Sequence, residues 1–188
     1  MADIYSELVL KNVNQDAFKK WFDKKVGTFP DYAPAEDGFG VEVEGGYGYY
    51  FWEAISLMMV EKFEGIVFLG TNQVNFGDYL IKTSFECDGK AVLLERTLEF
   101  FDDYDADEEF EEEYDEEQDD WKEMIADEND IPYSVRFSTA EIIACAKAYK
   151  ELNKKLKDTA LVKNVCANNG ITEEQIQQYA TILNFKKR

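Results

Sequence analysis

Residues 79–98 read YLIKTSFECDGKAVLLERTL, and this stretch decides the class of fold. Two largely apolar segments flank the pair Asp88-Gly89, which favours the two-residue type I′ turn of a β-hairpin. One side of the hairpin is then mostly apolar, and Lys82 opposite Glu95 lies on a side that can face water. The turn sets the predicted pairs on the apolar side: Cys87 with Lys90, Phe85 with Val92, Thr83 with Leu94, Ile81 with Arg96, and Tyr79 with Leu98.

Upstream of the hairpin, the spacing of apolar residues predicts three more strands and two helices. Strands are expected at 6–13, 39–43 and 66–69, and residues 27–38, which contain Pro30 and Pro34, are expected to form a loop. Asn14 is a good N-cap for the first helix. The buried stripes of the two helices are predicted to be Phe18, Trp21, Phe22 and Val26, and then Trp52, Ile55, Met58, Met59 and Phe63, ended by Gly65.

The C-terminal third is predicted to form one short strand, at 133–137, followed by helices. Ser138 with Glu141 matches a capping box, and so does Thr172 with Gln175, while Asn169-Gly170 ends the helix between them. The sequence therefore predicts an α+β fold with a mostly antiparallel sheet and helices packed on one face. Its expected parts are a sheet domain (1–101), an acidic segment that is partly helical (102–130), and a helical C-terminal segment (131–188) packed on the same domain.

The net charge of −20 is concentrated in one segment of the chain. Residues 99–130 contain 19 acidic residues and a single base, Lys122, whereas residues 131–188 have a net charge of +5. Such a block is usually a disordered, solubilising stretch. Here, however, the spacing of Phe110, Tyr114, Trp121 and Ile125 favours a helix from about Asp107 to Ala126 that docks through a narrow aromatic stripe.

Histidine is absent from the chain, and this excludes Ser-His and Cys-His nucleophile pairs as well as histidine metal sites. Cys87, Cys145 and Cys166 are far apart and lack CxxC spacing, which is typical of buried structural thiols in a reducing compartment. The first residues lack a basic, then apolar, secretory signal, and no run is long enough to span a membrane. We therefore expect a cytoplasmic protein with no membrane association, no cofactor, no metal and no catalytic residues.

Three other kinds of site were compared with the sequence. Residues 162–183 resemble a helix-turn-helix only partly, because Cys166 and Asn169 depart from the pattern and Glu173 and Glu174 would face phosphates, so an αα corner is expected. The run from Asp103 fails as an EF-hand, since Glu108 replaces the required Gly and Tyr114 the bidentate Glu. Two carboxylates near aromatic residues could form a glycosidase-like catalytic pair, although no sequence feature identifies which two would be partners. The candidates are Glu42, Glu44, Glu53 and Glu61.

A helix dense in carboxylates has one specific use, because its charges imitate a phosphate backbone and attract grooves lined with Lys and Arg. The leading hypothesis is thus a non-enzymatic acidic protein that occupies a basic protein surface, as a nucleic-acid mimic, a nuclease inhibitor of the immunity or anti-defence type, or a chaperone of a basic protein. Direct nucleic-acid binding is not expected. The predicted contact residues are Asp103, Asp105, Asp107, Glu109, Phe110, Glu112, Glu113, Tyr114, Glu116, Glu117, Asp120 and Trp121.

The alternative is a nucleic-acid-binding or regulatory module that acts through its basic C-terminal helices, with the acidic segment as a shield in cis. Deletion of residues 102–120 distinguishes the two hypotheses. Under the first, binding to the basic partner is lost, because the charges that attract it are gone. Under the second, affinity for DNA increases, and a DNA-binding assay of the deleted and full-length chains measures this difference directly.

Overall fold

A computed structural model describes residues 3–27, 30–45, 50–101, 117–129, 131–153 and 155–184 of the protein. Strands and helices alternate irregularly along the chain, with most strands in its first half. The elements are β1 (Asp3–Lys11), α1 (Gln15–Val26), β2 (Asp31–Ala35), β3 (Gly38–Glu44), α2 (Tyr50–Lys62), β4 (Val67–Asn75), β5 (Tyr79–Cys87), β6 (Ala91–Phe100), α3 (Glu117–Glu128), β7 (Tyr133–Ser138), α4 (Thr139–Leu152), α5 (Thr159–Asn169) and α6 (Glu173–Leu183).

The strands form one seven-stranded sheet in the order β2-β3-β1-β4-β5-β6-β7. Every neighbouring pair is antiparallel. Side chains alternate between the two faces, so that Leu8 and Leu10 are buried while Glu7 and Val9 are exposed. The predicted α+β class, with an antiparallel sheet and helices on one face, is confirmed.

The core lies between the covered face of the sheet and the helices, with α2 at its centre. This helix contacts β5 and β6 on one side and α4 and α6 on the other. Its burial therefore extends beyond the predicted stripe, and Leu57 and Val60 are buried as well. Trp52 stacks on Phe85 of β5, with ring centroids 6.0 Å apart and an interplanar angle of 11°.

The hairpin between β5 and β6 forms, but its predicted register is wrong by two residues. Cys87 pairs with Val92 and Phe85 with Leu94. The two loop residues are Gly89 and Lys90, because the Asp88 carboxylate accepts hydrogen bonds from the backbone N–H groups of Lys90 and Ala91, both at 2.8 Å. A shift of two residues keeps every side chain on its predicted face, so the apolar side stays the covered side.

The new register also changes three other predicted pairs. Thr83 faces Arg96, Ile81 faces Leu98 and Tyr79 faces Phe100. Lys82 lies opposite Thr97, and Glu95 lies opposite Ser84, so the predicted ion pair of Lys82 with Glu95 is wrong.

The predicted loop over 27–38 is wrong, because Asp31–Ala35 within it is strand β2, which pairs with β3. Pro34 made this segment look like a loop. A proline lacks the N–H that an inner strand must donate, but an edge strand tolerates it, and β2 is an edge of the sheet.

The predicted caps at Asn14, Ser138, Gly170 and Thr172 are confirmed, whereas α2 ends at Lys62, three residues before the predicted Gly65. The Asn14 side chain accepts a hydrogen bond from the Ala17 N–H at 2.9 Å, and Gly170 ends α5 in the left-handed conformation. Both capping boxes, at Ser138 and Thr172, are present. In the described part of the chain, every helix is too short or too polar to cross a lipid bilayer.

The glycine at position 70 lets the Phe85 ring lie against the sheet. A Cβ atom at Gly70 would lie 2.2 Å from Phe85 Cε2, and the same ring stacks on Trp52. We expect Gly70→Ala to lower the free energy of unfolding by about 1–3 kcal/mol, because the added methyl overpacks the core. Denaturant unfolding measures the change.

Gly40→Ala is the matched control for this prediction. Gly40 also lies within a strand, but a Cβ atom there would have no neighbour closer than 3.8 Å. Its free energy of unfolding should change by less than about 0.5 kcal/mol. Equal losses in the two variants would show that the contact of Gly70 with Phe85 does not limit packing.

Candidate functional site

Most of the predicted acidic site lies outside the described residues. The exceptions are Glu117, which begins α3, Asp120, which is exposed, and Trp121, which is half-buried. Residues 117–126 of the predicted helix are helical, and α3 continues to Glu128. The predicted contact residues outside the description are Asp103, Asp105, Asp107, Glu109, Phe110, Glu112, Glu113, Tyr114 and Glu116.

Helix α3 is held against the end of β6 by an aromatic contact. The Trp121 ring meets the Phe100 ring edge to face, with centroids 5.1 Å apart and an interplanar angle of 83°. Lys122 Nζ lies 5.4 Å from the centre of the same Phe100 ring. Trp121 therefore packs on the body of the protein, as a residue of the predicted aromatic stripe was expected to do.

A buried arginine joins the C-terminal end of α3 to the core. Arg96 of β6 is 2% exposed, and its Nη2 donates to Glu53 Oε1 of α2 at 2.5 Å. Its Nη1 donates to the backbone oxygen of Asn129 at 2.6 Å, and its guanidinium lies 4.7 Å from the centre of the Tyr133 ring. Removing one partner of a buried pair leaves an uncompensated charge and typically costs about 3–5 kcal/mol. This group is structural, and sequence reasoning gave it no role.

The second face of the sheet carries an acidic surface that sequence reasoning missed. No helix in the described ranges packs against this face, which we call the open face. Its exposed side chains are mostly charged or polar. Its acidic residues are Asp3, Glu7, Asp31, Glu42, Glu44, Glu86, Glu95 and Glu99, and its basic residues are Lys11, Lys82 and Arg136.

Three of these carboxylates stand directly side by side on neighbouring strands. Asp31 of β2 pairs with Glu42 of β3, and Glu42 pairs with Glu7 of β1. Adjacent strands are about 4.8 Å apart, so the three acidic residues form a row across the sheet, which we call the carboxylate row. Like charges opposite one another destabilise a sheet. The fold tolerates this repulsion on the open face, where water screens the charges.

The phenol of Tyr5 reports the negative potential of this face. Tyr5 lies opposite Glu44, and its hydroxyl donates to Glu7 Oε1 at 2.7 Å. That hydrogen bond, together with desolvation and the charges of Glu7, Glu42 and Glu44, raises the pKa of Tyr5 to about 12. Each of these effects disfavours the phenolate, the last because a further negative charge would be repelled.

Beyond the carboxylate row, the open face becomes partly apolar. Val9 of β1 faces Leu69 of β4, and Leu69 faces Glu86 of β5. Leu69, Glu86 and Leu93 are among the residues lining a cavity of about 310 Å³. Leu69 is 57% exposed, more than any other large apolar side chain in the described residues.

The helical side of the protein has a mixed surface. Apolar residues within 162–183, the stretch compared with a helix-turn-helix, are buried in the packing of α4, α5 and α6; they include Val165, Ile171, Ile176 and Tyr179. Glu173 and Glu174 are exposed in the first turn of α6. Among the lysines of this side, Lys150 is paired with Glu61.

The remaining candidates for chemistry do not converge on one place. All three cysteines are buried, and burial raises the pKa of Cys145 to about 11 and also raises the pKa values of Cys87 and Cys166. Of the carboxylates considered for a glycosidase-like pair, Glu53 is bound to Arg96 and Glu61 to Lys150.

The other two, Glu42 and Glu44, lie on the open face. Within the described ranges, no three His, Cys, Asp or Glu side chains come together in a way that could hold a metal ion. The EF-hand comparison, from Asp103 to Tyr114, concerns residues outside the description.

Comparison with known proteins finds no matching family model, no similar curated protein and no similar solved structure. The geometry of the chain itself is therefore the basis for a proposal about its function.

Neutralising one member of the carboxylate row should change the Tyr5 titration. We expect Glu7→Gln to lower the Tyr5 pKa toward the ordinary value of about 10, because the charged hydrogen-bond acceptor is removed. At about pH 11, the ionised fraction of Tyr5 should be larger in the variant than in the unsubstituted protein, in which the ring is mainly protonated. Ring-carbon NMR shifts of labelled tyrosines measure this, and the spectrum of Tyr5→Phe identifies the signal.

Glu95→Gln is the control, since Glu95 lies on the same face but on β6. The Tyr5 signal should titrate in this variant as in the unsubstituted protein. If Glu7→Gln leaves the titration unchanged, Glu7 does not set the potential at this end of the open face.

Proposed function

We propose that this chain is a non-enzymatic acidic binding protein that occupies a basic surface of a partner protein, a surface of the kind that otherwise holds nucleic acid. The observation that carries the proposal is the carboxylate row, Asp31, Glu42 and Glu7, on a sheet face that is predominantly acidic. Proteins usually avoid like charges in directly paired positions. Binding to a cationic surface would relieve the repulsion that water only screens, and this relief would favour the complex.

The spacing of these charges suits a mimic of nucleic acid. The strands that carry these carboxylates are spaced about 5 Å apart, which is of the same order as the separation of charges along a nucleic-acid strand. A groove of Lys and Arg side chains that accepts phosphates would accept such a row, with fast and salt-sensitive association.

The acidic segment remains part of the proposal. Residues 99–130 have a net charge of −18, and Trp121 and the end of α3 are held on the body of the protein. A charge of this size attracts a basic partner from a distance and raises the association rate. The open face then supplies fixed positions for close contacts.

The alternative, nucleic-acid binding through the C-terminal helices, is less well supported. The first turn of a second helix is where a helix-turn-helix protein contacts DNA, and in α6 this turn carries the exposed Glu173 and Glu174. Their charges repel phosphates. Lys150, one of the candidate basic residues, is engaged with Glu61.

The test compares two double variants that remove the same charge from different sides of the protein. Glu7→Gln/Glu42→Gln neutralises two members of the carboxylate row, and Glu173→Gln/Glu174→Gln neutralises two exposed acids of α6. Each variant and the unsubstituted protein are immobilised, exposed to a cell extract at low salt, and eluted at high salt. Mass spectrometry identifies the eluted proteins.

We expect basic proteins to elute from the unsubstituted protein and from the α6 variant, and to be strongly reduced with the row variant. The purified proteins should show the same order of affinity. Because the total charge of the two variants is identical, a difference between them reflects the position of the charges that were removed. Retention of neutral or acidic proteins only, or equal retention by both variants, would contradict the proposal.

A further inference from the structure

One carboxylate of the open face stands between two leucines. Glu86 of β5 lies directly opposite Leu69 on β4 and Leu93 on β6. Leu69 and Leu93 both line the cavity of about 310 Å³ to which Glu86 contributes. An exposed leucine that is 57% accessible loses nothing by being covered, and burying it would stabilise a complex.

The next carboxylate along the sheet has different neighbours. Glu95 of β6 lies opposite Ser84 on β5 and Ser134 on β7, and the Ser134 hydroxyl is 3.4 Å from Glu95 Oε1. Both Glu86 and Glu95 are exposed acids on the same face. They differ in that apolar groups flank one and hydroxyl groups flank the other.

We propose that Glu86, Leu69 and Leu93 form an anchor site for a lysine or arginine side chain of the basic partner. The methylene groups of that side chain would lie on the two leucines, and its cation would bind the Glu86 carboxylate. Long cationic side chains have this combination of an apolar stem and a charged head. Leucines that exclude water around an ion pair strengthen it, as at the centre of many interfaces.

The surrounding charges favour a cation in this position. Asp88 also lines the cavity, and hydrogen bonds from the Ala91 and Lys90 N–H groups hold its pKa below the ordinary value, so it remains ionised. Arg136 lies opposite Leu93 on β7 and lines the same cavity, and its charge is one of the causes that lower the Asp88 pKa. Among the lining residues, the two carboxylates, Glu86 and Asp88, outnumber this one guanidinium.

This inference depends on the proposed function, because it names the group of the basic partner that the open face receives. Two probes of equal charge test it: hexalysine, and a hexapeptide of 2,4-diaminobutyric acid, whose side chains are shorter by two methylene groups. Dissociation constants are read from the amide NMR signals of Leu69, Glu86 and Leu93 during titration. The variants are Glu86→Gln, its control Glu95→Gln, and Leu69→Ser.

For hexalysine, we expect Glu86→Gln to raise the dissociation constant about tenfold and Glu95→Gln no more than about threefold, the range of an exposed ion pair. Leu69→Ser should also weaken hexalysine binding, although it leaves the charge unchanged. The shorter probe should bind more weakly and should respond equally to Glu86→Gln and Glu95→Gln. Thermal unfolding confirms that each variant is folded.

Two results would overturn the inference, and they differ in what they mean for the proposed function. If Glu86→Gln and Glu95→Gln weaken both probes equally, and Leu69→Ser has no effect, the anchor site is wrong but the acidic face still binds cations. If neither glutamate variant changes the affinity for hexalysine, Glu86 does not anchor a cation and the inference is wrong, whereas the proposed function is decided separately by the Glu7→Gln/Glu42→Gln variant.

Discussion

The sheet can bury only one of its two faces, and this constraint organises the rest of the protein. The described helices lie on one side, where α2 is enclosed between the sheet and the helices α4 and α6. Strict alternation along each strand then sends every second side chain to the open face. Residues such as Glu7 and Glu42 become neighbours there only because the apolar residues that alternate with them are in the core.

The buried contact of Arg96 with Glu53 connects this core to the acidic part of the chain. Arg96 binds α2 through Glu53 and the end of α3 through the backbone oxygen of Asn129. The Trp121 ring provides a second attachment at the other end of the described helix. A charged helix of this length would be only marginally stable in isolation, and these two contacts hold it in a fixed position beside the sheet.

Sequence patterns gave the fold class and many local features because these depend on short-range chemistry. The caps at Asn14, Ser138 and Thr172 and the face of each residue in the β5–β6 hairpin follow from neighbouring residues. The hairpin register does not follow from neighbouring residues in this way. The Asp88 side chain accepts hydrogen bonds from two backbone N–H groups and places the turn one residue further along the chain, and this shifts the strand pairing by two residues. The turn propensity of the pair Asp88-Gly89 does not predict these side-chain hydrogen bonds.

The candidate site was harder to predict for a different reason. The carboxylate row joins β1, β2 and β3, and β1 lies between β3 and β4 in the sheet, an order that no local pattern specifies. The alternation of Glu42 and Glu44 with buried valines was visible in the sequence, but its pairing with Glu7 was not. The density of acidic residues in the sequence instead predicted a site within residues 102–121, most of which lie outside the part of the chain that the structure describes.

The central claim is that the open face of the sheet receives a basic partner, and carboxyl footprinting tests it most directly. The protein is labelled with a carbodiimide and an amine, alone and bound to a basic protein that it retains, and the labelled acids are located by mass spectrometry. We expect binding to protect Glu7, Glu42 and Glu86 while Glu173 and Glu174 react as before. Protection of the acids of α6, with those of the open face still reactive, would contradict the claim.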